Sequence, residues 1–274
     1  MRLWLIILTA LFAVWLPKAP ADLGAAAGDI EPPAALPTYA TVLSIDPGRY
    51  GELQHRRTPL PPRTIALTFD DGPSPEGLPR VLDILDQRSI KATFFFVGVY
   101  AQLRPDLVRE AASRGHNVAC HSWSHPTTLP GWGAAAQESQ VRRCFGALEA
   151  ALADSPPEVR ARLEPMFRFP GLNESRYLAG WLNQRGVLVL SAEGGTDDWR
   201  GIAAPTIVRR TVANMEAANG GVLILHETRP QMVAALPELL DTLTARGFGF
   251  VQITVGPDGR VKALAADDAV LTSD

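Results

Sequence analysis

The stretch Thr64-Ile65-Ala66-Leu67-Thr68-Phe69-Asp70-Asp71-Gly72-Pro73 is an apolar, β-branched run that ends in two adjacent acids and a turn. The run predicts a short buried strand over residues 64–69, and Gly72 and Pro73 predict that the chain turns directly afterwards. Neighbouring side chains on a strand point to opposite faces, so Asp70 and Asp71 can serve one site only where the strand breaks. One acid could then hold a metal while the other moves a proton. Standing alone, the same stretch would be a solvated Asp-Gly turn.

Further strands and helices follow this first strand in alternation. Short runs rich in β-branched and aromatic residues predict strands at residues 92–97, 117–120, 166–169, 187–191, 221–225 and 248–254. Between them, apolar residues recur at helical spacing around residues 78–85, 103–108, 141–148 and 232–240. Strands that alternate with helices predict an α/β protein with a largely parallel sheet, either doubly wound or closed as a barrel.

Composition sets the broad class of the protein. The chain has 274 residues, of which 46% are hydrophobic and 20% charged, as is typical of a globular protein with a core. Its net charge is −3 and it has no long basic run, which excludes nucleic acid and an anionic membrane surface as expected partners. We expect a linker or arm rich in Pro and Ala at residues 22–62, a catalytic domain at residues 63–256, and a polar tail at residues 257–274.

The first 21 residues have the layout of an export signal. Arg2 precedes an apolar run over residues 3–16, and the small-residue site Ala19-Pro20-Ala21 follows. The run is shorter than the roughly 20 apolar residues that a membrane span needs. Trp4 and Trp15 would nevertheless suit the interfaces of an uncleaved anchor. The sequence therefore predicts an exported protein, periplasmic or secreted, that contacts a membrane only through this segment; we expect a monomer.

Polar side chains follow five of the predicted strands. In α/β sheets, functional groups gather at the carboxyl ends of strands and in the loops after them. The first strand ends in the acid pair, and the others deliver His121 and His125, then Arg168 and Gly171, then Asp198 and Trp199, and finally His226. We expect these residues to lie along one rim.

The pair His121 and His125 is the candidate metal-binding element. Residues four apart share a face if the segment takes a helical turn. Two neutral imidazoles and one carboxylate form a ligand set that suits Zn²⁺ or another first-row divalent ion and leaves positions for water and substrate. Most isolated His-x-x-x-His pairs are surface residues, so this pattern depends on its partners.

The remaining histidine of this region and the two cysteines have structural interpretations. His116 precedes its strand, and we expect a buried ring that donates a hydrogen bond to the backbone. Cys120 and Cys144 are the only cysteines. In an oxidising compartment they could form a disulfide, and as buried thiols they could equally stay reduced.

Taken together, the motifs resemble those of a known family. The NodB-homology polysaccharide deacetylases, carbohydrate esterase family 4, carry five ordered motifs like Thr68-Phe69-Asp70-Asp71-Gly72-Pro73, His121-Ser122-Trp123-Ser124-His125, Arg168-Phe169-Pro170, Asp198-Trp199 and Leu223-Ile224-Leu225-His226. The resemblance covers about residues 63–254. It implies a distorted (β/α) barrel of about seven units and metal-dependent removal of acetyl groups from N-acetylated sugars.

The resemblance also implies roles for individual residues. Asp71, His121 and His125 would be the metal ligands, and Asp70 the general base that takes a proton from a metal-bound water. The backbone N–H of Gly171 would stabilise the oxyanion.

On the leaving-group side, the resemblance makes His226 the general acid, held charged and oriented by Asp198. Arg168 would pair with Asp70, although a salt bridge at the rim is an alternative explanation for this arginine. Trp199 and Leu225 would form a small apolar pocket for the acetyl methyl, although either could be ordinary core packing.

Three positions depart from the family pattern. Gly171 stands where the family often has an aromatic residue, which puts a wall of the sugar site in doubt. Gly195 replaces an additional acid, so Asp197 competes with Asp198 as the partner of His226. Glu227 follows His226 where Asp is usual.

These observations support a metal-dependent hydrolase acting on a glycan that contains N-acetylhexosamine. An O-deacetylase or a deformylase of a cell-envelope sugar would use the same chemistry. A non-catalytic glycan-binding protein on the same scaffold is the alternative from another class.

Overall fold

Parallel strands and helices alternate through residues 41–256, the part of the chain that the computed structural model describes. The strands are β1 Thr41–Ile45, β2 Arg49–Tyr50, β3 Thr64–Asp70, β4 Thr93–Phe96, β5 Asn117–Cys120, β6 Leu163–Phe167, β7 Leu188–Leu190, β8 Gly194–Gly195, β9 Gly220–His226 and β10 Gly249–Val255. The helices are α1 Leu78–Asp86, α2 Gly98–Leu103, α3 Pro105–Ser113, α4 Ala134–Leu152, α5 Pro157–Arg160, α6 Arg176–Asn183, α7 Ala204–Ala218 and α8 Pro230–Ala245.

The strands form one curled parallel sheet centred on β3. The strand β9 pairs with the whole of β3 on one side, while β4, β5, β6, β7 and β2 follow in order on the other. The strand β8 adds to the outer edge of β9, and only residues 191–193 separate it from β7. The sheet therefore curls back on itself, which confirms the predicted α/β fold with a distorted barrel.

The strand β10 closes the amino-terminal end of this barrel. It pairs with the first residues of β3 and crosses the starts of β5 and β6. There the Asn117 amide donates to the Ile253 carbonyl at 2.8 Å, and the Thr254 hydroxyl donates to Glu164 at 2.6 Å. The opposite end, where the strands finish, stays open for a site.

Strand alternation divides the core into two layers. Residues such as Ala66, Phe95 and Ile224 face the barrel interior, where small side chains alternate with large ones. Their neighbours Leu67, Phe94 and Leu225 face outwards and are covered by the helices. Because successive side chains of a strand point to opposite faces, only every second residue of each strand can reach the site.

The four helical segments predicted from apolar spacing are present as α1, α2 with α3, α4 and α8. Their apolar faces lie on the outer layer; α1, for example, buries Leu78, Val81, Leu82 and Leu85. The apolar spacing did not predict the short α5 or the helices α6 and α7. In α7 the buried stripe includes the polar Thr211, which blurs the helical period.

Residues 41–62 do not form the linker that composition predicts. The strand β1 pairs with β10 from Thr41↔Val251 to Ile45↔Val255, and β2 pairs with β7. Ile45 and Tyr50 are buried in the barrel interior. Short edge strands take their hydrogen bonds from partners distant in sequence, so the Pro and Gly content around them concealed the pairing. The export segment, residues 22–40 and the tail at 257–274 lie outside the described residues.

A disulfide joins Cys120 at the end of β5 to Cys144 in α4, with the Cα atoms 6.0 Å apart.

Among the helices of residues 41–256, none combines the length and apolar character that crossing a membrane requires.

Candidate metal and active site

The two acids at the end of β3 meet at one site because the backbone reverses between them. Asp70 is the last residue of the strand, and Asp71 takes a left-handed conformation with φ 73°. The Asp71 Oδ1 atom lies 3.4 Å from His121 Nε2 and 3.1 Å from His125 Nε2. Asp70 Oδ2 lies 3.8 Å from His121 Nε2.

The two histidines converge without the helical turn that their spacing suggested. Ser122 and His125 have φ values of 66° and 57°, so the segment folds as a tight left-handed bend. The His125 N–H donates to the Ser122 hydroxyl at 3.0 Å and fixes the bend. His121 Nδ1 lies 2.9 Å from the Arg168 carbonyl, which can only accept. Nδ1 therefore carries the hydrogen, and Nε2 presents its lone pair to the site.

Asp71, His121 and His125 fit a divalent metal ion. One ligand atom from each lies within 4.8 Å of the others. Asp71 Oδ1 is buried and makes no well-formed hydrogen bond among the described residues, but it faces the Nε2 atoms of His121 and His125, so an ion bound between them would satisfy it. Burial alone would raise the pKa of Asp71, but the imidazoles of His121 and His125 hold it below its usual value. Two imidazoles and a carboxylate are ligands typical of zinc and related ions.

Arg168 is not a rim residue. Its guanidinium is fully buried and donates to Asp70 Oδ1 at 2.7 Å and to the Thr68 hydroxyl at 2.8 Å. It also donates to the carbonyls of Leu190 and Ser191 at 2.9 and 3.0 Å. The rim alternative is therefore wrong. These bonds fix one carboxylate oxygen of Asp70 and leave the other directed at His121.

His226 pairs with Asp198 and not with Asp197. Its Nδ1 lies 2.7 Å from Asp198 Oδ1, and its backbone N–H donates to Asp198 Oδ2 at 2.9 Å. Asp197 instead forms exposed ion pairs with Arg200 and Arg210. Burial lowers the pKa of His226, but the hydrogen bond and charge of Asp198 outweigh it and raise the pKa to about 8.

The site residues line a cavity of about 600 Å³ at the open end of the barrel. Gly171 and Trp199 lie in its wall, and Trp199 is 56% exposed. Leu225 is fully buried in the outer layer, so its predicted place in the pocket is wrong. Ile224 lines the cavity instead, because it lies two residues before His226 on the same face of β9. Because residues two apart on a strand share a face, the position of His226 predicts that Ile224 also faces the cavity.

Leu53 also lines the cavity, and this place could not be predicted from the sequence. It comes from the segment that composition assigned to a linker. Neither an apolar period nor a motif marks this residue, because its position depends on how β2 pairs with β7.

Two further buried acid–base residues have shifted pKa values: Glu227 lies beside the site, whereas His116 precedes β5 at the opposite, amino-terminal end of the barrel. Glu227 accepts the Ser74 N–H at 3.0 Å, and burial raises its pKa to about 8. His116 accepts the Ala92 N–H at its Nδ1, so the predicted donation to the backbone is wrong. Burial lowers the pKa of His116 to about 3, which keeps its ring neutral.

Comparisons with known proteins agree with this geometry. A family model described as polysaccharide deacetylase matches residues 57–189. A chitooligosaccharide deacetylase from Sinorhizobium fredii is 33% identical over 199 residues, which are 68% of this chain and 87% of that protein. A peptidoglycan-N-acetylglucosamine deacetylase from Bacillus cereus is 31% identical over 194 residues, 69% of this chain, and the match spans 66% of that protein.

Solved structures show the same fold. A peptidoglycan deacetylase from Bdellovibrio bacteriovorus has a TM-score of 0.71 at 22% identity, covering 83% of this chain and 63% of that one. A family 4 carbohydrate esterase from Streptomyces lividans has a TM-score of 0.57 at 29% identity, covering 70% of this chain and 91% of that one.

Proposed function

Because the chain belongs to the polysaccharide deacetylase family, we propose that it is a metal-dependent hydrolase that removes N-acetyl groups from a glycan containing N-acetylhexosamine. The observation that carries the proposal is the convergence of three candidate metal ligands, a second carboxylate and the imidazole of His226 on one cavity. Each of these groups has a distinct task in amide hydrolysis, and their placement supports the following division of labour.

Asp71, His121 and His125 would hold the ion, with zinc as the first candidate among first-row divalent metals. When bound, such an ion supplies Lewis acidity to the acetyl carbonyl and to the attacking water.

Asp70 would accept the proton of the attacking water. Arg168 occupies its Oδ1, so the proton would go to Oδ2, the oxygen 3.8 Å from His121 Nε2. The backbone N–H of Gly171, in the cavity wall, would donate to the oxygen that becomes negative as the carbonyl is attacked.

His226 would protonate the departing sugar amine. Its raised pKa keeps the ring charged at neutral pH, and Asp198 occupies its Nδ1. The proton available to substrate is therefore the one on Nε2, which lies 3.9 Å from Asp71 Oδ2. The products are an amino sugar and acetate.

The relatives and the predicted export signal support a substrate class and a cellular setting for this activity. Relatives named as peptidoglycan and chitooligosaccharide deacetylases favour a glycan of N-acetylglucosamine type. The export signal predicted at residues 1–21 would deliver the enzyme to the periplasm or the exterior, where such glycans occur. Contact with a membrane would be limited to that segment, and we expect a monomer.

The test is acetate release from peptidoglycan, N-acetylglucosamine oligomers and acetylxylan, with and without a chelator. We expect release from the N-acetylated glycans only, and its loss on chelation. Asp70→Asn should lower turnover by about 100-fold to 10,000-fold, the usual contribution of a general base, with metal content unchanged. The exposed Asp154 serves as the control through Asp154→Asn.

Other outcomes identify the alternatives. Full turnover in Asp70→Asn would rule out Asp70 as the base. Release from acetylxylan alone would favour an O-deacetylase, and release of formate in place of acetate would favour a deformylase. A metal-loaded protein inert on every acylated glycan would favour the non-catalytic glycan-binding protein.

A further inference from the structure

Residues 49–57, which we call the N-terminal segment, place Leu53 in the wall of the catalytic cavity, although the family match begins only at residue 57. The Leu53 N–H donates to the Ala192 carbonyl at 2.9 Å, which fastens the segment to the chain between β7 and β8. Gly51, with φ 106°, lies so close to Ala192 that a Cβ atom there would be 2.3 Å from its backbone nitrogen. The close approach therefore requires glycine.

The other side of the segment is fastened to the loop that carries Gly171. Arg49 and His55 both contact the Glu174 carboxylate, at 2.9 and 2.6 Å. Gln54 donates to the Leu172 carbonyl. The segment is thus held on two sides of the cavity, and Leu53 between these attachments has a defined position.

Leu53 is an exposed apolar side chain at this position. Its exposed fraction is 53%, and it lines the same cavity as the exposed Trp199. Exposed apolar side chains gathered at a polar cleft mark a ligand surface. The C–H faces of a pyranose ring are the part of a glycan that such side chains bury.

A second cavity, of about 320 Å³, adjoins the first. The two share Asp71, His125 and Arg229, so they meet at the metal ligands. Tyr100 from α2 lines the second cavity and is 49% exposed. An aromatic ring with a polar tip suits a sugar in the way that Leu53 does on the other side.

We propose that the two cavities form one groove for consecutive sugars, in which Leu53 and Tyr100 bind the units that flank the reacting one. This inference rests on the proposed function and adds two residues outside the catalytic machinery, Leu53 and Tyr100, that bind the neighbouring sugars. Sugars at both flanks would bury apolar surface that a short substrate leaves exposed, so the specificity constant should rise with chain length.

The test measures kcat/KM for N-acetylglucosamine oligomers of two to six units. In the unchanged protein we expect the hexamer-to-dimer ratio to exceed about tenfold. Leu53→Ala and Tyr100→Ala should each reduce that ratio by about fivefold to tenfold, as expected for half-burying one large side chain. Controls are Val42→Ala, with the same exposure in β1, and Leu103→Ala in α2; neither residue lines either cavity.

Calorimetric titration with the hexamer measures binding in the groove independently of turnover. Weaker hexamer binding in Leu53→Ala and Tyr100→Ala, but not in the controls, supports the groove even if no oligomer is turned over; in that case only the proposed function fails. A ratio and an affinity unchanged in both variants would overturn the groove. Equal losses in Val42→Ala and Leu103→Ala would overturn it as well.

Discussion

The buried pair of His226 and Asp198 should set the alkaline limit of activity. The pKa of His226 is raised from 6.5 to about 8, so the charged imidazole is present below that pH and is lost above it. Asp198→Asn removes the charge that raises this pKa, while the burial that lowers it stays. We expect the alkaline limb of kcat/KM to move to lower pH by about one unit or more. A pH profile from 5.5 to 9.5 measures the shift.

Asp197 provides the matched control for this shift. It precedes Asp198 in the chain, but its carboxylate pairs with surface arginines and does not touch His226. Asp197→Asn should leave the alkaline limb in place. An equal displacement in both variants would mean that general electrostatics, and not the hydrogen bond to His226, sets the pKa.

At the scale of elements, β1 and β2 should be required for stability. A chain that begins at residue 57 loses the ladder between β1 and β10 and the buried side chains of Ile45 and Tyr50. Burial of two such side chains contributes about 3–6 kcal/mol, which corresponds to roughly 6–20 °C in melting temperature. Thermal unfolding measures the melting temperatures of the chain that begins at residue 57 and of a chain that begins at residue 41. Equal melting temperatures would restore the linker interpretation.

The disulfide between β5 and α4 should stabilise both the fold and the metal site. Closing a loop of 24 residues contributes about 3.5 kcal/mol in the chain-entropy model. Because Cys120 directly precedes His121, its loss should also loosen a candidate metal ligand. We expect the double variant Cys120→Ala/Cys144→Ala to unfold at a lower urea concentration than the unchanged protein and to bind metal more weakly. A variant that loses stability but keeps metal affinity would limit the disulfide to the fold.

Most of the elements could be predicted from sequence because the buried strands are continuous apolar runs. All seven strands predicted from residue 64 onwards are present, with ends displaced by at most a few residues. The bend at Ser122 and His125 could not be predicted, because residues other than glycine seldom take positive φ and no local turn motif marks these two positions. The edge strands β1 and β2 depend on partners distant in sequence and left no local pattern.

At the scale of the whole molecule, the meeting of the site residues could be predicted and the cavity wall could not. Parallel strands bring their carboxyl ends to one edge, so Asp70, His121 and His226 had to converge. The choice between Asp197 and Asp198 depended on backbone geometry in a short loop. Leu53 reaches the cavity through the pairing of β2 with β7, a contact that spans most of the domain.

Metal binding should stabilise the whole domain, because its ligands come from the loops after two strands and are assembled only in the folded chain. An ion that binds only the folded state at 100 times its Kd contributes about 2.7 kcal/mol, or roughly 5–10 °C in melting temperature. We expect chelator to lower the melting temperature and Zn²⁺ to restore it. Ca²⁺ should have little effect because it prefers oxygen ligands. His125→Ala should abolish the shift and Asp154→Asn should keep it; an equal shift in both would place the stabilising ion elsewhere.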